Sequence, residues 1–174
     1  MLTHHRKTVC LSLMSLDLPL WSVVEASATL YEKELQRYHL LLREPPLDEY
    51  PPSYLRGNEN PQGNETTKSS VPPPTARFLW LELSPYRTIL TMQTHGKLSY
   101  RHYWEKGVFG PSRFWLQGDD PTHCSQMQLR NYTRSLELQG DPLPEHLRVE
   151  YELWAAREFL GHYILTVNIQ PDDA

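Results

Sequence analysis

Three side chains in the C-terminal part of the chain have the chemistry to recognise an organic anion: Arg148, Trp154 and Tyr163. Arg148 stands between Leu147 and Val149 in an alternating stretch. A guanidinium in mid-strand can grip a carboxylate through two parallel hydrogen bonds. Trp154 and Tyr163 would supply aromatic walls for a small guest. A four-residue turn in this hairpin would set Arg148 opposite Leu165 and Glu150 opposite Tyr163. The plainer reading is an exposed Arg148 paired with Glu150 or Glu152. His162 falls on the opposite, more apolar face, where a buried and hydrogen-bonded histidine is expected.

Other chemistry-bearing residues form no set. The eight histidines lack metal-ligand spacing. His4 and His5 lie near the terminus, and His123 adjoins Cys124. His95 and His102 are seven apart with no acidic residue in step with them. No metal or cofactor is expected, and no catalytic residue can be assigned. The sequence has no phosphate loop, dinucleotide fingerprint, Gly-x-Ser-x-Gly or Cys-x-x-Cys. Pro51-Pro52-Ser53-Tyr54 fits the proline-proline-x-tyrosine pattern that WW domains bind as a preformed extended segment. Its contact residues would be Pro51, Pro52 and Tyr54.

The elements that must position these residues read as α+β: an antiparallel sheet with a long N-terminal helix and short helices packed on one face. Residues 1–16 read as a flexible terminus. Residues 17–43 read as the helix of the domain, opened by Ser22 and Glu25 in a capping-box spacing. Val24, Ala28, Tyr31, Leu35, Tyr38 and Leu42 recur at helical intervals along it. Residues 44–76 hold eight of the fifteen prolines and no sustained apolar period, which predicts a mobile excursion from the fold.

Residues 77–174 read as the sheet core. Residues 78–83 are a strand or the lead into a helix. Ser84-Pro85 resembles a helix start that would run through Ile89, Leu90 and Met92, and residues 97–105 a second short helix. Strands are expected at 113–117, at 131–139 and at 147–154, with a return strand at 159–169. In 131–139, Tyr132, Leu136 and Leu138 should share one side, opposite Thr133, Ser135, Glu137 and Gln139. The last two strands have the clearest period of two and should form a hairpin.

The totals narrow the function classes. The chain of 174 residues has a formal net charge of −4, which disfavours a general nucleic-acid binder. Its two cysteines, Cys10 and Cys124, make no disulfide scaffold, and a reduced, cytoplasmic location is expected. No apolar run is long enough to span a bilayer. The short apolar stretch after Arg6-Lys7 is broken by Asp17 and lacks a cleavage site of small residues. Asn64-Glu65-Thr66 and Asn131-Tyr132-Thr133 match the glycosylation sequon, which matters only in a secreted chain.

Several stretches together resemble the chorismate lyase-like family. They are Leu83-Ser84-Pro85-Tyr86-Arg87-Thr88-Ile89-Leu90-Thr91, Thr94-His95-Gly96-Lys97-Leu98-Ser99-Tyr100-Arg101, Leu147-Arg148 in a strand, and Phe159-Leu160-Gly161 entering the next. The resemblance covers roughly residues 80–169, about half the chain. It implies an antiparallel sheet with packed helices and a cofactor-free removal of pyruvate from chorismate. Arg148 would be the carboxylate grip. The family's late-strand glutamate has no equivalent before Ala174, and Tyr163 stands where the family has an arginine. The expectation is therefore a diverged relative that binds or transforms a small aromatic or enol carboxylic acid. The alternative is a non-catalytic adaptor, or a viral matrix-like assembly protein, that recruits a WW-type domain.

Overall fold

The computed structural model describes residues 3–33, 36–44, 77–94, 98–117 and 124–171. Among these residues ten strands follow one another: β1 (His4–Ser15), β2 (Trp21–Lys33), β3 (Arg37–Glu44), β4 (Arg77–Leu83), β5 (Arg87–Thr94), β6 (Leu98–Glu105), β7 (Phe109–Gln117), β8 (Cys124–Gln139), β9 (His146–Ala155) and β10 (Glu158–Ile169). Each pairs antiparallel with its successor, and β1 pairs with β10 to close a barrel. No helix occurs among the described residues. The expected α+β class is thus overturned by an all-β closed barrel, and no strand edge is left unpaired.

Alternation explains the closure. In β9, Leu147, Val149 and Tyr151 are buried and face the interior, while Arg148, Glu150 and Glu152 between them face outward. Across from them in β10, Val167, Leu165 and Tyr163 continue the inner layer. Apolar-in and charged-out is the reverse of the pattern of a barrel that faces lipid.

The residues expected to form the long N-terminal helix make β2 and β3 instead. Ala26, Ala28 and Leu30 point inward, and Leu40 and Leu42 face them from β3. Val24, Ala28, Tyr38 and Leu42 share one parity, so a spacing of four served a period of two as well as a helix. Ser22 and Glu25 cap nothing: they pair with Leu13 and Cys10 of β1. The terminus expected to be flexible supplies β1 itself, held between β2 and β10. Tertiary pairing outweighed local propensity here, since two alanines in a strand interior favour neither closure nor sheet.

The expected short helices are also strands. Ser84 is the first residue of a hairpin turn, not a helix cap: its Oγ accepts from the Arg87 N–H at 3.1 Å, and its own N–H donates to the Arg87 carbonyl. The described part of the second expected helix, residues 98–105, is β6, where Tyr100, His102 and Trp104 alternate inward.

Two irregularities shift registers that a strict period of two would miss. A bulge at Arg134 puts Asn131 and Thr133 on the inner face, together with Leu136 and Leu138 beyond it. The expected grouping of Tyr132 with Leu136 therefore fails. A second irregularity follows the two-residue turn Ala156-Arg157 and skips Leu160. Arg148 then lies opposite Thr166, and Glu150 opposite Ile164, one residue away from the expected register.

The interior is divided lengthwise. From β1 to β5 its wall is mainly aliphatic, built from Val9, Leu30, Leu40, Leu42, Leu81 and Leu83 among others and interrupted by Ser15, Tyr38 and Thr88. Rings and polar groups gather on β6–β8 and at Tyr151 and Tyr163, while the rest of the inner face of β9 and β10, Leu147, Val149, Leu165, Val167 and Ile169, is aliphatic. At one end the inward residues Tyr38, Leu83, Thr88 and Trp104 are buried, and the Tyr38 hydroxyl donates to the Pro142 carbonyl at 2.9 Å. At the other end, the end of the β1–β2 and β9–β10 turns, the inward residues Leu13, Val24, Tyr100, Phe114 and Tyr163 are only half-buried.

Candidate functional site

The three residues singled out from the sequence are not brought together. Arg148 is on the outer face, where it donates to Ser135 Oγ at 3.1 Å and to Glu150 Oε2 at 3.0 Å. Trp154 is also outside; its indole N–H donates to Glu152 Oε2 at 3.1 Å and its ring meets Phe159 edge-on. Tyr163 is on the inner face, stacked on Tyr151 with ring centroids 5.6 Å apart. Because successive residues of a strand face opposite sides, Leu147 and Val149 could enter the core only by sending Arg148 out.

The outer group is an ion-pair network. Glu150 takes hydrogen bonds from Arg148 and from His162 Nε2, the latter at 3.0 Å. Burial alone would raise the Glu150 carboxyl, but the bonds and charges of Arg148 and His162 outweigh it and hold the group below its ordinary range. His162, expected on the apolar face, belongs to this network; its backbone N–H also donates to Asp17 Oδ2 at 2.6 Å. Pro51, Pro52 and Tyr54 lie outside the described residues.

The interior holds the more unusual chemistry. His102, Ser112, Asn131 and Thr133 are all buried and all inward-facing, from β6, β7 and β8. Asn131 Nδ2 donates to Ser112 Oγ at 2.8 Å, and Ser112 Oγ lies 2.8 Å from His102 Nδ1. A hydroxyl that accepts from Asn131 still has its own proton to place. His102 Nδ1 is its other partner; assigning the Ser112 proton to this contact places the ring's own proton on Nε2. Burial lowers the His102 pKa to about 4, so the ring is neutral at pH 7.

Around this chain stands an aromatic cluster. Trp104 stacks flat on His102, with centroids 5.1 Å apart and planes inclined by 2°. Tyr100 and Phe114 meet His102 edge-on at 5.3 Å, and Tyr151 touches both His102 and Trp104. Burial, together with the nearby Tyr100 and Tyr163, raises the Tyr151 hydroxyl, which stays protonated. Among the described residues two buried donors have no partner: Thr88 Oγ1 and Trp104 Nε1. They belong to directly opposed residues of β5 and β6, which are 0% and 1% exposed. Each unmet buried group of this kind costs about 1–3 kcal/mol.

The His102–Ser112 contact lacks the arrangement of an activated nucleophile. A serine and a histidine in contact suggest a nucleophile and its base, but here the third group orients the serine and not the histidine. Ser112 is 0% exposed and already engaged twice. A histidine whose pKa is about 4 is also a poor base at neutral pH. Among the described residues no three His, Cys, Asp or Glu side chains gather as a metal would require, and no helix is long and apolar enough to cross a membrane. Asn131, the second sequon asparagine, is fully buried and cannot be reached by a glycosylating enzyme in the folded barrel.

The sequence reading missed this set because its members lie in three separate strands and share no local motif. Alternation of Tyr100, His102 and Trp104 was the available signal.

No family model matches the chain, and no curated protein matches it. One solved structure with a similar fold is the ywiB protein from Bacillus subtilis. It is 12% identical, with a TM-score of 0.56 over 98% of this chain and 96% of that one. At that identity the likeness concerns the fold alone.

Proposed function

We propose that this barrel binds a small planar, aromatic molecule, received at its half-buried end among Tyr100, Phe114 and Tyr163 with His102 beneath. The observation that carries this reading is the gathering of rings and polar groups on the inner face of β6–β8, with Tyr151 and Tyr163 beside them, against an otherwise aliphatic wall. Barrel mouths lined by rings and a few polar groups are common small-molecule sites. An apolar rim at the same end supports entry there: Leu18 is 52% exposed and Trp21 75%. The expected aromatic or enol acid retains support for its aromatic part. Its carboxylate grip, Arg148, would have to act from the outer face, where Glu150 already engages it.

A melting-shift panel of benzoate, 4-hydroxybenzoate, chorismate and acetophenone tests the reading, because a molecule that binds only the folded chain raises its stability. At least one should raise the melting temperature, and Phe114→Ala should lose that shift. No shift with any of the four would overturn it.

A second reading is the adaptor. Glu44 and Arg77 are direct cross-strand partners, so a short hairpin turn would join β3 to β4. Residues 45–76 span this step, with Pro51, Pro52 and Tyr54 among them. A connection longer than the fold requires is a natural position for a docking segment. A pull-down with an isolated WW domain should then depend on Tyr54 and not on Phe114.

A further inference from the structure

Resting on the reading of the barrel as a small-molecule binder, we propose that its guest is uncharged and presents an oxygen acceptor, a carbonyl for example, to Trp104 Nε1 and Thr88 Oγ1. Three observations converge on this chemistry. The first is the pair of unmet donors, which come from directly opposed residues of β5 and β6, face the same interior and are 1% and 0% exposed. An indole N–H can only donate, so the atom it awaits must be an acceptor.

The second is the absence of charge. The buried polar residues described in the interior are Ser15, Thr88, His102, Ser112, Asn131 and Thr133, with no lysine, arginine, aspartate or glutamate among them. An anion drawn in beside Thr88 and Trp104 would lose its hydration with no fully buried cation to replace it, Lys7 holding an inward register position on β1 but only half-buried near the strand end, whereas a neutral carbonyl needs only one or two donors. The third is the tautomer of His102. With Nδ1 taken by Ser112, its Nε2–H is a further donor on the ring that stacks against Trp104. The site is therefore rich in neutral donors and lined by rings, which selects an aromatic ketone, aldehyde, ester or quinone over a carboxylic acid.

The chain has five tryptophans, so five indole N–H signals report on it in a ¹⁵N–¹H spectrum, and Trp104→Phe identifies the one that belongs to Trp104. Three probes of similar shape are titrated at pH 7.5: acetophenone, benzoate and ethylbenzene. The expected result is that acetophenone moves the Trp104 indole N–H downfield and binds at least tenfold more tightly than the other two. Trp104→Phe and Thr88→Val should each reduce that preference at least threefold. Binding of benzoate as tight as that of acetophenone would overturn the neutral-guest assignment while leaving the binding function intact. So would acetophenone binding that leaves the Trp104 signal in place, or an indole N–H that exchanges magnetisation with a trapped water whether or not the probe is present. If none of the three binds and the four-compound melting panel is also silent, the binding reading itself fails.

Discussion

Replacing His102 by glutamine should change how the stability of the barrel depends on pH, by an amount that follows from the burial of the ring. In the unfolded chain a histidine titrates near 6.5; in the barrel burial lowers His102 to about 4. The groups that face it are the rings of Tyr100, Trp104, Phe114 and Tyr151 and the hydroxyl of Ser112, none of them charged at neutral pH. Between these two pKa values the unfolded chain holds the proton and the folded chain does not. Acid therefore favours unfolding: stability is full above about pH 6.5 and is lost as the pH falls toward 4. The loss from this residue is about 2 kcal/mol at pH 5 and about 3 kcal/mol at pH 4.

Glutamine keeps a neutral donor and acceptor but cannot take the proton. Urea unfolding of the wild type and His102→Gln at pH 7.5, 6.5, 5 and 4 gives the comparison. The advantage of the wild type over the variant should shrink by about those amounts as the pH falls. The acid sensitivity of Glu150 is present in both proteins and cancels, since the two sites share no partner. A stability difference that is constant across the pH range would refute the reasoning, because it would mean that the ring titrates alike in both states.

Other outcomes follow from the same geometry. Arg148→Ala should cost about 1 kcal/mol or less in urea unfolding and leave binding of any interior guest unchanged, since its bonds lie on the outer face. Glu150→Gln should flatten the acid limb of the stability curve: a carboxyl held below its ordinary pKa contributes stability that is lost as the pH falls through the folded value. Gly110→Ala should be among the most damaging single changes, roughly 2–4 kcal/mol by denaturation, because its Cβ would stand 2.2 Å from the Tyr103 carbonyl oxygen. Leu81→Ala, at a position 0% exposed in the aliphatic half, should cost about 2–5 kcal/mol by the cavity it leaves.

The C-terminal hairpin was legible in the sequence because Leu147, Val149, Tyr151 and Leu153 alternate without interruption. β2 and β3 were not, because a spacing of four fits a helix and also two steps of a strand. Val24, Ala28, Tyr38 and Leu42 satisfy both, and only the partner strands β1 and β4 decide between them. The inward or outward setting of Arg148 was within reach, since its neighbours Leu147 and Val149 are the more apolar pair. What drew attention to it was the chemistry of guanidinium, which is a statement about capability and not about direction.

The pairing of His102 with Ser112 and Asn131 depends on three strands meeting side by side and on a bulge at Arg134 that sets the face of Asn131 and Thr133 relative to Leu136. A bulge changes parity without leaving a mark in the hydrophobic pattern, so no single-strand reading reaches that cluster.

On the proposed reading a planar guest enters the barrel at its half-buried end. Intermolecular nuclear Overhauser effects between bound acetophenone and the protein report where the guest sits. Contacts are expected from the probe to the ring protons of Phe114 and Tyr163. Contacts confined to the outer-face rings of Trp154 and Phe159 would contradict that reading.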